Sequence, residues 1–546
     1  MADQQLPAEQ VDRIRDSYAF DEPAIDLGVL DNGGEPVTDA RIRIPLRMFT
    51  RHGLIAGATG TGKTITLQLL AESLSAAGVP VLAADIKGDL SGIALPGVPG
   101  DRLAARTAAN GQAWEPRANP VEFFALGGRG SGIPLRATVS SFGPLLLSRV
   151  LGLNDTQEST LGLLFSYADR AGLPLLDLAD LSELLKYLTG DEGRSELKGI
   201  GGVSTATAGV ILREIVNLAD QGGDVFFGEP EFDTADLLRT APDGRGAVSL
   251  LELPNVQDRP ALFSTFLMWL LADLYHELPE IGDVERPRLV FFFDEAHLLF
   301  DGASKAFVDQ ITQTVRLIRS KGVGVFFITQ TPKDVPNDVL AQLGSRVQHQ
   351  LRAHTPDDAK ALRATVNTYP TSDYKLEELL TSLGIGQAVV TVMDPDGAPT
   401  PVAWTRIFAP TSTMGPTEAA RITELVNGSP LHGKYAQEIN RDSAQEMLAR
   451  KLEAGAQAAE QEAAGVAAPA GDSAPGSPPG RQPTAAPTHS ANERQPTTQQ
   501  PGSSRSRRQE KSVIEQVAGS SVVKQFARSA GREIVRALFG TARRRR

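Results

Sequence analysis

Five short, mostly apolar runs recur along the chain, at residues 54–56, 81–85, 246–253, 289–293 and 323–328. Runs of this length without strict polar alternation predict strands buried on both faces, as in a parallel sheet covered by helices. Helical spacing occupies residues 65–74, 260–278 and 304–320 between them. The repeating order of strand, helix and strand therefore predicts an α/β fold with a mostly parallel sheet. Alternation over residues 40–46 predicts one short strand ahead of this core, and runs near 346–351, 387–392 and 401–407 predict strands that extend or edge it. Residues 260–278 are apolar enough to suggest a membrane span, but Asp273 and His276 interrupt them. A buried core helix is the better reading.

The alternation is split. Residues 101–245 carry Pro/Gly-rich connections and leucine-rich helical patterns at 142–153, 159–171 and 175–188, which predict a mostly helical insertion between core segments 46–100 and 246–430. Residues 1–45 form a short N-terminal segment and 431–453 a helical extension. Residues 454–511 are largely Ala, Gln, Pro, Ser, Gly and Thr, too poor in large apolar groups to offset ordering entropy, and predict a disordered linker. Residues 512–546 regain helical spacing, with Val523, Phe526, Ala530, Ile534, Ala537 and Leu538 as a stripe flanked by Lys524, Arg528, Arg532 and Arg536. Such a basic amphipathic helix can dock a protein, a nucleic acid or an anionic membrane surface, or pack back on its own body.

Composition narrows the chemistry. None of the 546 residues is cysteine, which excludes disulfides, thiolate catalysis and cysteine-ligated metals. No basic-then-apolar leader opens the chain and no run of about 18 apolar residues occurs, so a cytoplasmic protein without a transmembrane segment is expected. The net charge is −12, yet residues 505–546 hold twelve Lys or Arg against three acids. An acidic body thus carries a basic tail, and composition alone displays no DNA-binding face.

The run at 54–56 leads into Gly57-Ala58-Thr59-Gly60-Thr61-Gly62-Lys63-Thr64, which meets every fixed position of a P-loop between a strand and a helix. Glycines there let backbone N–H groups curl around phosphates, Lys63 reaches the outer phosphate oxygens, and the Thr64 hydroxyl can ligate Mg²⁺. ATP with Mg²⁺ is the expected cofactor. The strand at 289–293 feeds Asp294-Glu295, a Walker B arrangement in which Asp294 holds the metal shell and Glu295 handles the attacking water. Gln330, beyond the next strand, can bond both the γ-phosphate and that water, or simply turn the chain before Pro332. Asp85 ends another strand, where it can polarise the site or cap the following turn. Arg316, Arg319, Arg346 and Arg352 are the cations available to complete a transition state, and spacing does not choose among them.

Taken together, Arg51 to Thr64, Asp85-Ile86-Lys87-Gly88-Asp89-Leu90, Phe293-Asp294-Glu295-Ala296-His297, and Arg319 to Gly324 leading to Thr329-Gln330 resemble the bacterial HerA-like ATPases of the FtsK/HerA superfamily. The likeness covers roughly residues 35–430. It implies a RecA-like P-loop motor that assembles as a homohexamer, hydrolyses ATP between subunits and drives double-stranded DNA through a central channel. In that resemblance Arg319 is the arginine supplied to a neighbour's site, and Asp85 the extra acidic residue of the branch. The archaeal relatives' N-terminal barrel, associated with a nuclease partner, finds too few residues before this P-loop. The other readings are a scaffold whose assembly ATP switches, recruiting a partner or membrane through the basic helix, and a small-molecule kinase. Glu295 speaks against a pure switch, and the missing lid-like arginine pattern against a kinase.

Overall fold

A computed structural model describes residues 4–466 apart from 197–200, 254–259, 283, 302–304 and 440. Twelve strands form one sheet: β1 (Ala24–Asn32), β2 (Glu35–Pro45), β3 (Gly53–Ala56), β4 (Val81–Asp85), β5 (Val121–Leu126), β6 (Ile133–Leu135), β7 (Val248–Glu252), β8 (Leu289–Phe293), β9 (Val323–Thr329), β10 (Ser345–Gln348), β11 (Gln387–Thr391) and β12 (Ala403–Ile407). Their spatial order is β2-β1-β12-β11-β10-β3-β9-β8-β4-β7-β5-β6. From β10 to β6 all neighbours run parallel, and β2, β1, β12 and β11 add an antiparallel flank.

The uninterrupted apolar runs occupy the middle of this sheet because both of its faces are covered. Every residue of β3, β4, β8 and β9 is buried. The helix Pro260–Glu277 belongs to the same core: Phe263, Phe266, Leu267 and Trp269 are almost fully enclosed. Among the described residues no helix is long and apolar enough to cross a membrane.

Three expectations change. The N-terminal segment holds a helix (Ala8–Ser17) and a two-strand hairpin, not one short strand. Gly33-Gly34, between the paired Asn32 and Glu35, is the turn, with both glycines at positive φ. The segment 101–245 is mostly helical, but β5 and β6 within it continue the parallel sheet past β7, so the sheet runs into the insertion. The helix Ala444–Val466 reaches beyond residue 453 into the stretch expected to be disordered, since alanine, glutamate and glutamine are good helix formers. The rest of the linker and the basic helix 512–546 lie outside the described residues.

Chain order and spatial order together place the site. β3 and β8 are separated by β9 alone, and β4 lies on the far side of β8. The turns leaving β3, β4, β8 and β9 therefore gather at the carboxyl edge of the parallel strands, where the crevice of an open α/β sheet lies.

Candidate nucleotide-hydrolysis site

The P-loop leaves β3 and enters the helix Lys63–Ala76. Neighbouring strand ends hold its backbone: Gly57 N–H donates to Thr329 O at 3.2 Å, Ala58 N–H to Gln350 O at 2.8 Å, and Gly386 N–H to Thr61 O at 3.0 Å. Gly57 has φ +158°, and a Cβ there would stand 2.5 Å from the His349 Cβ, so the loop's first position tolerates no side chain. Gly62, at φ +117°, precedes the helix, whose first turn contains no acid. Such a helix start presents N–H groups and the positive end of the dipole to an anion. Lys63 is buried and its Nζ donates to Gly57 O (2.7 Å) and Ala58 O (3.3 Å). Burial lowers its pKa against the opposing pull of Glu295.

Three acids face this loop from two other strands. Asp294 is 2% exposed; its Oδ1 accepts from the Glu295 N–H at 2.9 Å, while Oδ2 is buried without a hydrogen-bond partner. Burial, then the Glu295 charge, pushes the Asp294 carboxyl up to about 6. Glu295 is 4% exposed and stands at φ +46°, an uncommon conformation for a side chain of this kind and one that clusters at functional sites. Its Oε1 accepts from Lys87 Nζ. Its Oε2 lies 3.3 Å from His297 Nδ1 without hydrogen-bond geometry. Burial alone would raise the Glu295 pKa, but Lys87, His297 and Lys63 bring it below the ordinary glutamate value.

Of the two readings open for Asp85, polarising the site or capping the following turn, its hydrogen bonds are those of the second. Fully buried, it accepts from Gly88 N–H on Oδ1 (2.7 Å) and from Leu90 N–H on Oδ2 (2.9 Å). Burial raises its carboxyl to about 6. Asp85 thus ties down the turn that carries Lys87 and Asp89. Asp89 is the acid of this motif on the P-loop side: burial raises its carboxyl pKa, with Lys87 and the nearby Thr64 hydroxyl opposing it, and its Oδ1 is buried without a hydrogen-bond partner.

These atoms fit a magnesium ion. Among the described residues no three His, Asp or Glu side chains converge to hold a metal unaided. Magnesium at phosphate sites needs only one or two protein ligands beside phosphate and water. Thr64 and the orphaned Oδ2 of Asp294 would supply them, and the ion would neutralise phosphate charge.

Gln330 sits exposed at the end of β9. It lines a cleft of about 210 Å³ with Ala58, Thr59, Lys333, Arg352 and Asp358. Of the four candidate arginines, Arg352 is the one that contacts this chain's own P-loop, donating to Thr59 O at 3.4 Å. Arg346 bonds Thr368, and Arg316 is exposed on the helix Lys305–Ile318. Arg319 precedes β9 and adds positive charge near His52, which precedes β3. It is therefore at the amino edge of the sheet, opposite Lys63, Asp294 and Glu295.

A second layer was not legible as functional. His349 is buried beneath Gly57; its Nδ1 is 2.9 Å from Gln387 O and its Nε2 2.9 Å from Thr66 Oγ1. The carbonyl can only accept, so Nδ1 carries the proton and Nε2 accepts from the threonine. On the P-loop helix, buried Glu72 holds Ser412 through N–H (3.2 Å) and Oγ (2.7 Å) and also takes the Thr411 N–H, while Gln68 donates to Ser412 Oγ and Thr413 O. The available signal was Gln68 and Glu72, polar residues four apart inside the leucine-rich stretch 67–74.

A family model described as "Helicase HerA-like C-terminal" matches residues 32–546. The DNA double-strand break repair helicase HerA of Sulfolobus acidocaldarius is 22% identical over 358 residues, which is 65% of this chain; the chain spans 64% of that relative's length. Among solved structures, the plasmid coupling protein TrwB, in complex with a non-hydrolysable GTP analogue, is similar at a TM-score of 0.50 and 16% identity, covering 76% of this chain and 95% of that one. That likeness concerns the fold alone: a mixed α/β, RecA-like sheet. With the P-loop, the acid pair and the intervening β9 in place, and with the family pattern running through almost the whole sequence, the chain belongs to the HerA-like family of P-loop proteins.

Proposed function

We propose that this protein is an ATPase that couples Mg²⁺-dependent hydrolysis to moving or remodelling double-stranded DNA, working as a homo-oligomeric ring. The observation that carries the ATPase is the gathering of Lys63, Thr64, Asp294 and Glu295 at one edge of the sheet, with unpartnered buried oxygens on both acids. Lys63 and the helix start bind phosphate; Thr64 and Asp294 hold the metal; Glu295 orients the water and takes its proton. The DNA substrate rests on the likeness to the DNA double-strand break repair helicase of Sulfolobus acidocaldarius. Subunit cooperation rests on the separation of Arg319 from its own P-loop, which leaves it suited to a neighbour's site, with hexamer as the family's ring size. Glu295 favours hydrolysis over an ATP-switched scaffold, because a switch needs no water-handling carboxylate.

The test is ATP turnover with and without duplex DNA on protein of measured oligomeric state. Duplex DNA should stimulate turnover, and Lys63→Ala or Glu295→Gln should reduce it by about a hundredfold or more. Robust turnover indifferent to nucleic acid would remove the motor reading and leave the ATPase standing.

A further inference from the structure

The pair formed by Lys87 and Glu295 joins two elements that are adjacent in the sheet but 208 residues apart in the chain. Glu295 follows β8, and Lys87 lies in the turn after β4, its immediate neighbour. That turn is built to hold a side chain in place. Asp85 anchors it through the Gly88 and Leu90 amides, and Gly88 turns it at φ +74°. At the receiving end Glu295 is buried, with Lys87, His297 and Lys63 favouring its charged form and Asp294 and Asp89 as like-charged neighbours. The Lys87 ammonium occupies Oε1, which leaves Oε2 as the oxygen without a hydrogen bond.

We infer that Lys87 is a positioning residue that acts through Glu295: by binding one carboxylate oxygen it fixes the side chain so that the other can receive a water. The inference rests on the hydrolytic reading of Glu295. A carboxylate with two free rotamers and a like-charged neighbour would turn away from Asp294 or swing between positions; the ammonium removes that freedom. Among the described residues the hydrogen bond of Lys87 goes to Glu295 and none goes to the P-loop, so its effect belongs to kcat and not to ATP affinity.

A double-mutant cycle of Lys87→Met and Glu295→Gln tests it, with Lys87→Arg as the conservative variant. In the wild-type background Lys87→Met should lower kcat by about tenfold or more with KM for ATP and the Kd for ADP within about twofold, and Lys87→Arg should restore much of the loss. In the Glu295→Gln background Lys87→Met should change residual turnover by less than about twofold. Melting temperatures of the four nucleotide-free proteins give a readout independent of activity, in which the two losses should be non-additive. Equal kcat losses in both backgrounds, a KM that rises while kcat holds, or additive melting shifts would each overturn the inference. If wild-type protein shows no hydrolysis, the ATPase reading itself fails, and the melting cycle alone decides whether the pair is coupled.

Discussion

Two buried histidines carry a measurable consequence of how single residues are enclosed. Burial lowers His52 and His349 to about 4 from an ordinary value of 6.5. Between pH 6.5 and 4 the unfolded chain binds protons at these positions that the folded chain refuses, so each costs stability as pH falls through that window and contributes nothing above it. Asp85 and Asp294, raised to about 6, act in the opposite sense, favouring the fold as pH falls below 6. The wild-type profile is thus a partial cancellation, and one variant separates the parts. As pH falls from 6.5 towards 4, the stability of His349→Gln relative to wild type should improve by up to about 1.4 kcal/mol per pH unit. Denaturant unfolding across that range measures it, and a pH-independent difference would show that His349 is not held neutral. At this scale the sequence announced Lys63, Thr64 and Asp294, whose chemistry is fixed by motif spacing. It did not separate Asp85 from Asp89, because both are aspartates in one six-residue motif. Only the turn's hydrogen bonds assign Asp85 to the backbone and leave Asp89 Oδ1 buried without a partner.

The P-loop helix is the element on which most of the site depends. Its outer end is not secured by apolar packing alone, since Gln68 and Glu72 bind the chain at 411–413 through buried hydrogen bonds. Burial raises the Glu72 carboxyl pKa, and the bonds from Ser412 and Thr411 counter it. Glu72→Ala would leave the Thr411 and Ser412 groups without partners in the interior. Its expected cost is about 2–4 kcal/mol of stability, read by chemical denaturation. A loss below about 0.5 kcal/mol would mean that water replaces the carboxylate. The strands β3, β4, β8 and β9 were readable because double burial writes a continuous apolar run. The hairpin β1–β2 was half missed: the alternation at 40–46 marks only the second half of β2, whose residues 35–39 are largely exposed, and β1 breaks its apolar pattern with Asp26, Gly28 and Asp31 although it is mostly buried.

On the scale of the whole molecule, the placement of Arg319 bears on the proposal that two chains make one site. Lys63 and Arg319 sit at opposite edges of the same parallel strands. β9 alone, seven residues long, separates the edges by roughly 20 Å at a typical strand rise. A site completed by Arg319 therefore needs a second chain. Arg319→Ala and Lys63→Ala protein, each inactive alone, should regain some ATP turnover when mixed, as wild-type surfaces meet at a fraction of interfaces. Absence of rescue with intact oligomers would instead direct attention to Arg352, which already touches Thr59 in its own chain.

The sequence by itself determined the phosphate cradle, the acid pair, the parallel core and the family, because each is written in local spacing: a motif of eight residues or a run of five. Tertiary structure alone decided which of those residues share a site. Strand order set β9 between β3 and β8 and β4 beside β8, and that order brought Lys87 to Glu295, while Arg319, ahead of β9, lies at the far edge. The physical reason is that contact across a sheet depends on which strands become neighbours. That choice is made by packing across hundreds of residues and leaves no mark in the spacing of any one segment.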